Sequence, residues 1–138
     1  MAREISAFAN KDGGEIICGV AEVPDDEGGG ISVVGCQDDI DSCTSGAGGF
    51  DKIDLILGRL FNKYFDNPAL VKQHVNIDLV NHESKPLVLI SVAPSKRIIF
   101  VKGPDKTGLQ LNIREGTVAQ NVKFNEIENY YTFERISN

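Results

Sequence analysis

The sequence predicts an α+β domain, a largely antiparallel or mixed sheet of about six strands with about three helices. Three observations carry this expectation. Apolar residues recur at helical spacing in three places, near the start, in the middle and at the end. Between them lie short β-branched runs separated by Gly, Pro and Asn. Four of those runs follow one another without an intervening helix, giving the order helix, two strands, helix, four strands, helix.

The opening stretch ISAFANKDGGEIICGV (5–20) organises the rest. Ile5, Phe8 and Ala9 share one helical face. Gly13 and Gly14 end that helix, because glycine reaches positive φ without a Cβ clash. Glu15 to Val20 is apolar and β-branched, a buried strand in which Cys18 is a small hydrophobe. EVPDDEGGG (22–30) reads as a solvated hairpin loop into a second short strand, Ile31 to Cys36, with a bend at Gly35. Residues 37–49 form a polar, glycine-rich loop. Its GAGG run (46–49) lacks the G-K-[ST] ending of a phosphate loop, and no strand leads into it.

Asp51 to Phe65 is the clearest helix. Ile53, Ile56, Leu57, Leu60, Phe61 and Tyr64 form its stripe, and Asn67-Pro68 ends it. Val75 to Val80 alternates as a strand, Asn81 to Lys85 turns, and Pro86 to Val92 reads as a central strand. Ile98–Val101 and Leu109–Ile113 are two further strands, and Arg114 to Thr117 leaves the last of them. Phe124 to Phe133 is a closing helix with Asn125 as N-cap.

A length of 138 residues points to a single domain over 1–138. Met1 leads straight into helical pattern, as expected for an N-terminally shortened fragment of a longer protein. There is no apolar run of membrane-spanning length and no signal peptide, so no membrane partner is expected. Three cysteines (Cys18, Cys36, Cys43) without a C-x-x-C indicate neither a disulfide framework nor a zinc site, and they place the chain in a reducing cytoplasm. His74 and His82, eight residues apart on one expected strand, cannot grip a metal together. Residues 1–70 hold 5 Lys/Arg and 13 Asp/Glu; residues 71–138 hold 9 and 7. The acidic first half is a poor phosphate binder, so any nucleic-acid site must be a basic patch in the second half.

Three pieces then stand in fixed order: ISAFANKDGGEIICGV (5–20), VAPSKRIIFV (92–101) and NIREGT (112–117). Together they resemble the Schlafen AlbA-like domain, also called the divergent AAA family. The resemblance spans roughly residues 5–122. It rests on the family's AFAN-x-x-GG-x-x-x-x-GV core, its V-x-P-S-x-x-P segment after a central strand, and its Y-x-R-x-G-[ST] strand end. It departs in two places. The family's upstream strand with its E-x-x-x-x-E-[FY]-K pattern has no counterpart, and Ile98 stands where a proline is common. Two acids of the Schlafen ribonuclease site belong to that upstream strand. Only Glu22 could stand in for the third, so a three-carboxylate metal site cannot be assembled here.

The resemblance implies a DNA-binding domain of a bacterial, cytoplasmic transcriptional regulator; such domains are also described as ATP-binding modules. DNA is expected over RNA, with a homodimer as a further partner and no cofactor or metal. The basic residues that would carry phosphate contacts are Lys96, Arg97, Lys102, Lys106 and Arg114, since Arg forks onto phosphate oxygens. A solvated turn at Lys96-Arg97, or a pairing of Arg114 with Glu115 or an acid of the opening helix, explains the same residues. Asn10 with Gly13 and Gly14 either satisfies backbone at a helix end or presents amides to an anion or nucleotide. The alternatives are an assembly domain that pairs through an open sheet edge, or the remnant of a metal-dependent nuclease or nucleotide-binding module. No enzymatic activity is expected of this stretch.

Overall fold

The computed structural model describes residues 1–38, 49–103 and 108–122, with side chains from residue 54 onward in the helix that begins at Gly49. The expected closing helix (124–133), Lys106, Cys43 and the glycine run at 46–48 lie outside the described residues. The fold is α+β. Among the described residues, three α-helices, α1 (Ala2–Ala9), α2 (Gly49–Tyr64) and α3 (Pro68–His74), accompany eight strands. These are β1 (Gly14–Cys18), β2 (Val20–Glu22), β3 (Ile31–Val33), β4 (Val75–His82), β5 (Lys85–Val92), β6 (Phe100–Lys102), β7 (Leu109–Glu115) and β8 (Val118–Val122). The strands form three small antiparallel sheets, ordered β1-β5-β4, β2-β3 and β6-β7-β8, in place of one sheet of about six.

The chain divides into two compact units. The first comprises residues 1–14, 58–75 and 92–138; the second comprises 15–57 and 76–91. In the first unit, β7 pairs with β6 on one side and with β8 on the other. The β7–β8 hairpin closes through Gly116-Thr117, with Gly116 at φ 60 as the first central position of a II′ turn requires. Strand β8 is additional to the strands expected from the sequence. Ile5, Ala7, Ala9, Phe61, Phe65, Leu70, Val71, Ile99, Val101, Leu111 and Ile113 are buried here. Phe61 and Phe65 meet edge to face at 5.6 Å.

The expected helical stripe is narrower than its spacing suggests. Phe61 is buried, but Leu60 and Tyr64 are exposed. Asn67-Pro68 does end α2, and it also begins α3. The Asn67 side chain accepts from the Leu70 N–H at 3.2 Å, and proline at the first position needs no donor. His74 therefore closes a helix instead of sitting on a strand with His82.

In the second unit, β5 is the central strand of its sheet, as its apolar run predicts, and β1 and β4 are edges. The β4–β5 turn is the pair Glu83-Ser84, both at positive φ (49° and 66°), the I′ geometry that matches strand twist. Of the two described cysteines, Cys36 is buried and Cys18 half-buried, which corrects the expectation for Cys18. β2 and β3 form a ribbon of their own, with Val20 opposite Val33 and Glu22 opposite Ile31.

Candidate nucleic-acid interface

The three sequence motifs meet within the first unit, through buried polar groups. Asn10 is 3% exposed and makes three hydrogen bonds. Its Nδ2 donates to the carbonyls of Ile99 (2.9 Å) and Asn112 (3.0 Å), and its Oδ1 accepts from the Ile99 N–H at 2.8 Å. Ile99 and Asn112 would form the rung after Phe100 and Leu111 in the β6–β7 register. The Asn10 carboxamide thus pairs with Ile99 as a neighbouring strand's peptide group would. Asn112 donates to Ser6 Oγ at 3.3 Å, and Ser6 Oγ donates to the Arg3 carbonyl. The Ser95 N–H donates to the Ala9 carbonyl at 2.8 Å. Ser6, Ser95 and Asn112 are each no more than 1% exposed.

The two glycines act by close approach. Gly13 has φ +77, and a Cβ there would lie 2.5 Å from the Val92 carbonyl oxygen and 2.9 Å from Pro94. A Cβ on Gly14 would meet the Phe8 ring at 2.3 Å. The Gly13 N–H already donates to the Phe8 carbonyl at 2.8 Å. Asn10 and Gly13 are therefore engaged by the protein's own groups, and the pair of free amides expected for an anion is not formed with Gly13.

The basic residues divide. Lys96 and Arg97 are exposed on a loop that Ser95 pins at both sides: its Oγ donates to the Arg97 carbonyl (2.7 Å) and accepts from the Arg97 N–H (3.2 Å). Arg97 and Arg114 each lie three residues beyond the Phe100–Leu111 rung, at the same end of the sheet. Arg114 is half-buried. Its guanidinium carbon stands 4.7 Å over the Phe8 ring, and its Nε donates to the Gly116 carbonyl. That stacking contributes about 0.5–1 kcal/mol and leaves the outer N–H groups for a ligand. No carboxylate pairs with Arg114 in these contacts, neither Glu115 nor an acid of α1.

Lys102 belongs elsewhere. It is opposite Leu109 at the other end of β6, and its Nζ donates to the Asn62 carbonyl. Directly opposed residues point to one face of a sheet, and the faces alternate along a strand. Lys102 therefore shares the Leu109–Leu111 face, whereas Arg114 shares the Gln110–Asn112 face. Of the five expected cations, the four within the described residues do not make one ridge; Lys96, Arg97 and Arg114 stand at one sheet end without Lys102.

The Phe8 support beneath Arg114 was not nominated from sequence. The two residues lie in separate motifs, and only their joint occurrence hinted at contact. Glu22 is exposed on β2 opposite Ile31. Among the described residues no three His, Cys, Asp or Glu side chains gather where they could hold a metal ion, and no helix is long and apolar enough to cross a membrane. Comparison with family models, with curated proteins and with solved structures returns no match.

Proposed function

We propose that this chain is a nucleic-acid-binding module, with DNA preferred over RNA, of a cytoplasmic transcriptional regulator. The first unit is the phosphate-reading part. The observation that carries this reading is the charge division between the units. Residues of the first unit hold 12 Lys/Arg against 8 Asp/Glu, a net +4. Those of the second hold 2 against 12, a net −10. A polyanion is attracted to the first and repelled by the second. Within the first, the pinned Lys96-Arg97 loop and the Phe8-backed Arg114 supply three cations at one sheet end. The resemblance to Schlafen AlbA-like domains supports the regulator assignment.

Labelled single- and double-stranded DNA and RNA, titrated by fluorescence anisotropy across a salt series, test this. Three phosphate contacts predict a log–log salt slope of about −2.7 on duplex DNA, a loss of roughly 40-fold between about 50 and about 200 mM salt. Arg97→Ala and Arg114→Ala should each weaken binding and lower the slope by about 1, while Lys102→Ala should leave the slope unchanged. Binding that ignores salt, or no binding at the lowest salt, overturns the reading.

A further inference from the structure

We infer that the β2–β3 ribbon is a docking arm that seats on the first unit of a second copy of this chain. The ribbon is a two-stranded sheet of its own. Two strands alone are marginal in water, and stability ordinarily needs a third strand or a packed apolar face. This ribbon instead presents apolar side chains to solvent. Ile31 is 71% exposed and Val20 37%, and the register puts both on one face with Val33 and with Glu22, which stands directly opposite Ile31. Val34, just past the ribbon, is 57% exposed. The root is fixed. The Gly19 carbonyl accepts from the N–H groups of both Val34 and Gly35, and Lys85 Nζ donates to the Val33 carbonyl. Gly19 sits at φ +111, where a Cβ would lie 2.6 Å from Leu87. A ribbon rooted firmly, with Val20, Ile31 and Val33 beside one carboxylate on a single face, is built to lie against something.

Charge selects the occupant. Between Lys11 and Lys52 the chain has no Lys, Arg or His and 10 Asp/Glu. Glu22 lies on that face opposite Ile31, and Asp25, Asp26 and Glu27 form the tip, all of them exposed. A partner must therefore be basic, so the second unit of another copy is excluded by its own net −10. The first unit carries the opposite sign, with Lys96 and Arg97 exposed. A second copy thus supplies the complementary surface, and its own ribbon can reciprocate about a two-fold axis, doubling the area that one short ribbon buries. This docking stands independently of any nucleic acid. Where both occur, they compete for the Lys96-Arg97 loop.

The test is molar mass by light scattering on the full chain, without nucleic acid, across a salt series. The expected result is a dimer at low salt that dissociates as screening shortens the reach of the charges. Two charge-reversed variants separate the surfaces: Asp25→Lys with Asp26→Lys and Glu27→Lys on the arm, and Lys96→Glu with Arg97→Glu on the loop. Each should be monomeric alone, because every altered residue faces like charge. Mixed together they should dimerise again, because in the mixed pair one contact is restored with signs exchanged and the other keeps the parent pairing of acidic arm on basic loop. Ile31→Ser should weaken the dimer at unchanged charge. All these residues are exposed, so circular dichroism should match the parent chain. A monomer at low salt and high concentration overturns the inference. So does a dimer indifferent to both reversals.

Discussion

Replacing Asn10 with alanine removes three buried hydrogen bonds at once. The Ile99 N–H, the Ile99 carbonyl and the Asn112 carbonyl lose their partner, all around a side chain only 3% exposed. A buried polar group left unpaired costs about 1–3 kcal/mol, so rigid surroundings would give about 3–9 kcal/mol. Water entering the vacated space recovers part of this, and we expect a loss near the lower end, about 4 kcal/mol. For a chain of this size that lowers Tm by roughly 10–20 °C. Asn10→Asp should be at least as damaging at neutral pH, because a carboxylate retains the acceptor for the Ile99 N–H but faces two carbonyl oxygens. Urea unfolding measures the loss. Hydrogen exchange at the Ile99 amide localises it, since that N–H is held by Asn10 Oδ1. A loss under about 1 kcal/mol, with the Ile99 amide still protected, would refute the structural role and return Asn10 to the ligand-binding candidates.

Two further substitutions probe backbone geometry. Gly13→Ala should destabilise by about 3 kcal/mol or more, combining positive φ with a Cβ 2.5 Å from the Val92 carbonyl oxygen, whereas Gly28→Ala, also at positive φ but with open space around it, should cost only about 1 kcal/mol; equal losses in urea unfolding would sink the close-approach account. Glu83→Asn with Ser84→Gly should stabilise by about 1 kcal/mol, because both residues now sit at positive φ in a I′ turn that favours Asn-Gly; an unchanged or lower unfolding midpoint would count against that turn.

What the sequence made legible depended on how local each signal was. Strand β5 reads directly from PLVLISV, because a continuous apolar run is what a central strand needs on both faces. The stripe on α2 told which side faces inward but not how far cover extends, so Leu60 and Tyr64 share the pattern with Phe61 and yet remain exposed. Asn67-Pro68 carries two valid meanings, a stop for one helix and a cap for the next, and only packing of Leu70 and Val71 decides that both apply. The Gly116-Thr117 turn was present in the sequence as a II′ signal, but Val118–Val122 is short and half polar, so the strand beyond it was passed over. For the site, exposure of Lys96 and Arg97 followed from their turn-like setting. The separation of Lys102 from Arg114 did not, because it depends on which residues of β6 and β7 face each other, a long-range choice that no local pattern encodes.

The buried polar cluster also governs how mutational data on this chain must be interpreted. Asn10 holds Ile99, and Ser95 holds the Ala9 carbonyl through its N–H and both the N–H and the carbonyl of Arg97 through its Oγ. The exposed Lys96-Arg97 loop is thereby positioned by residues that do not display themselves to a ligand. Losing Asn10 should release Ile99 and loosen the loop two residues upstream, so ligand binding would fall together with stability. Such a joint loss would not place Asn10 at a ligand. Arg97→Ala removes an exposed side chain and leaves its backbone hydrogen bonds to Ser95 intact, so its stability should change by no more than about 0.5 kcal/mol. A fall in affinity at constant stability is the signature of a contact. Arg114 lies between these cases, because its guanidinium both covers Phe8 and offers free donors. Arg114→Lys discriminates: it keeps the charge but gives up the planar stack, so affinity should fall through positioning while the salt slope stays close to that of the parent.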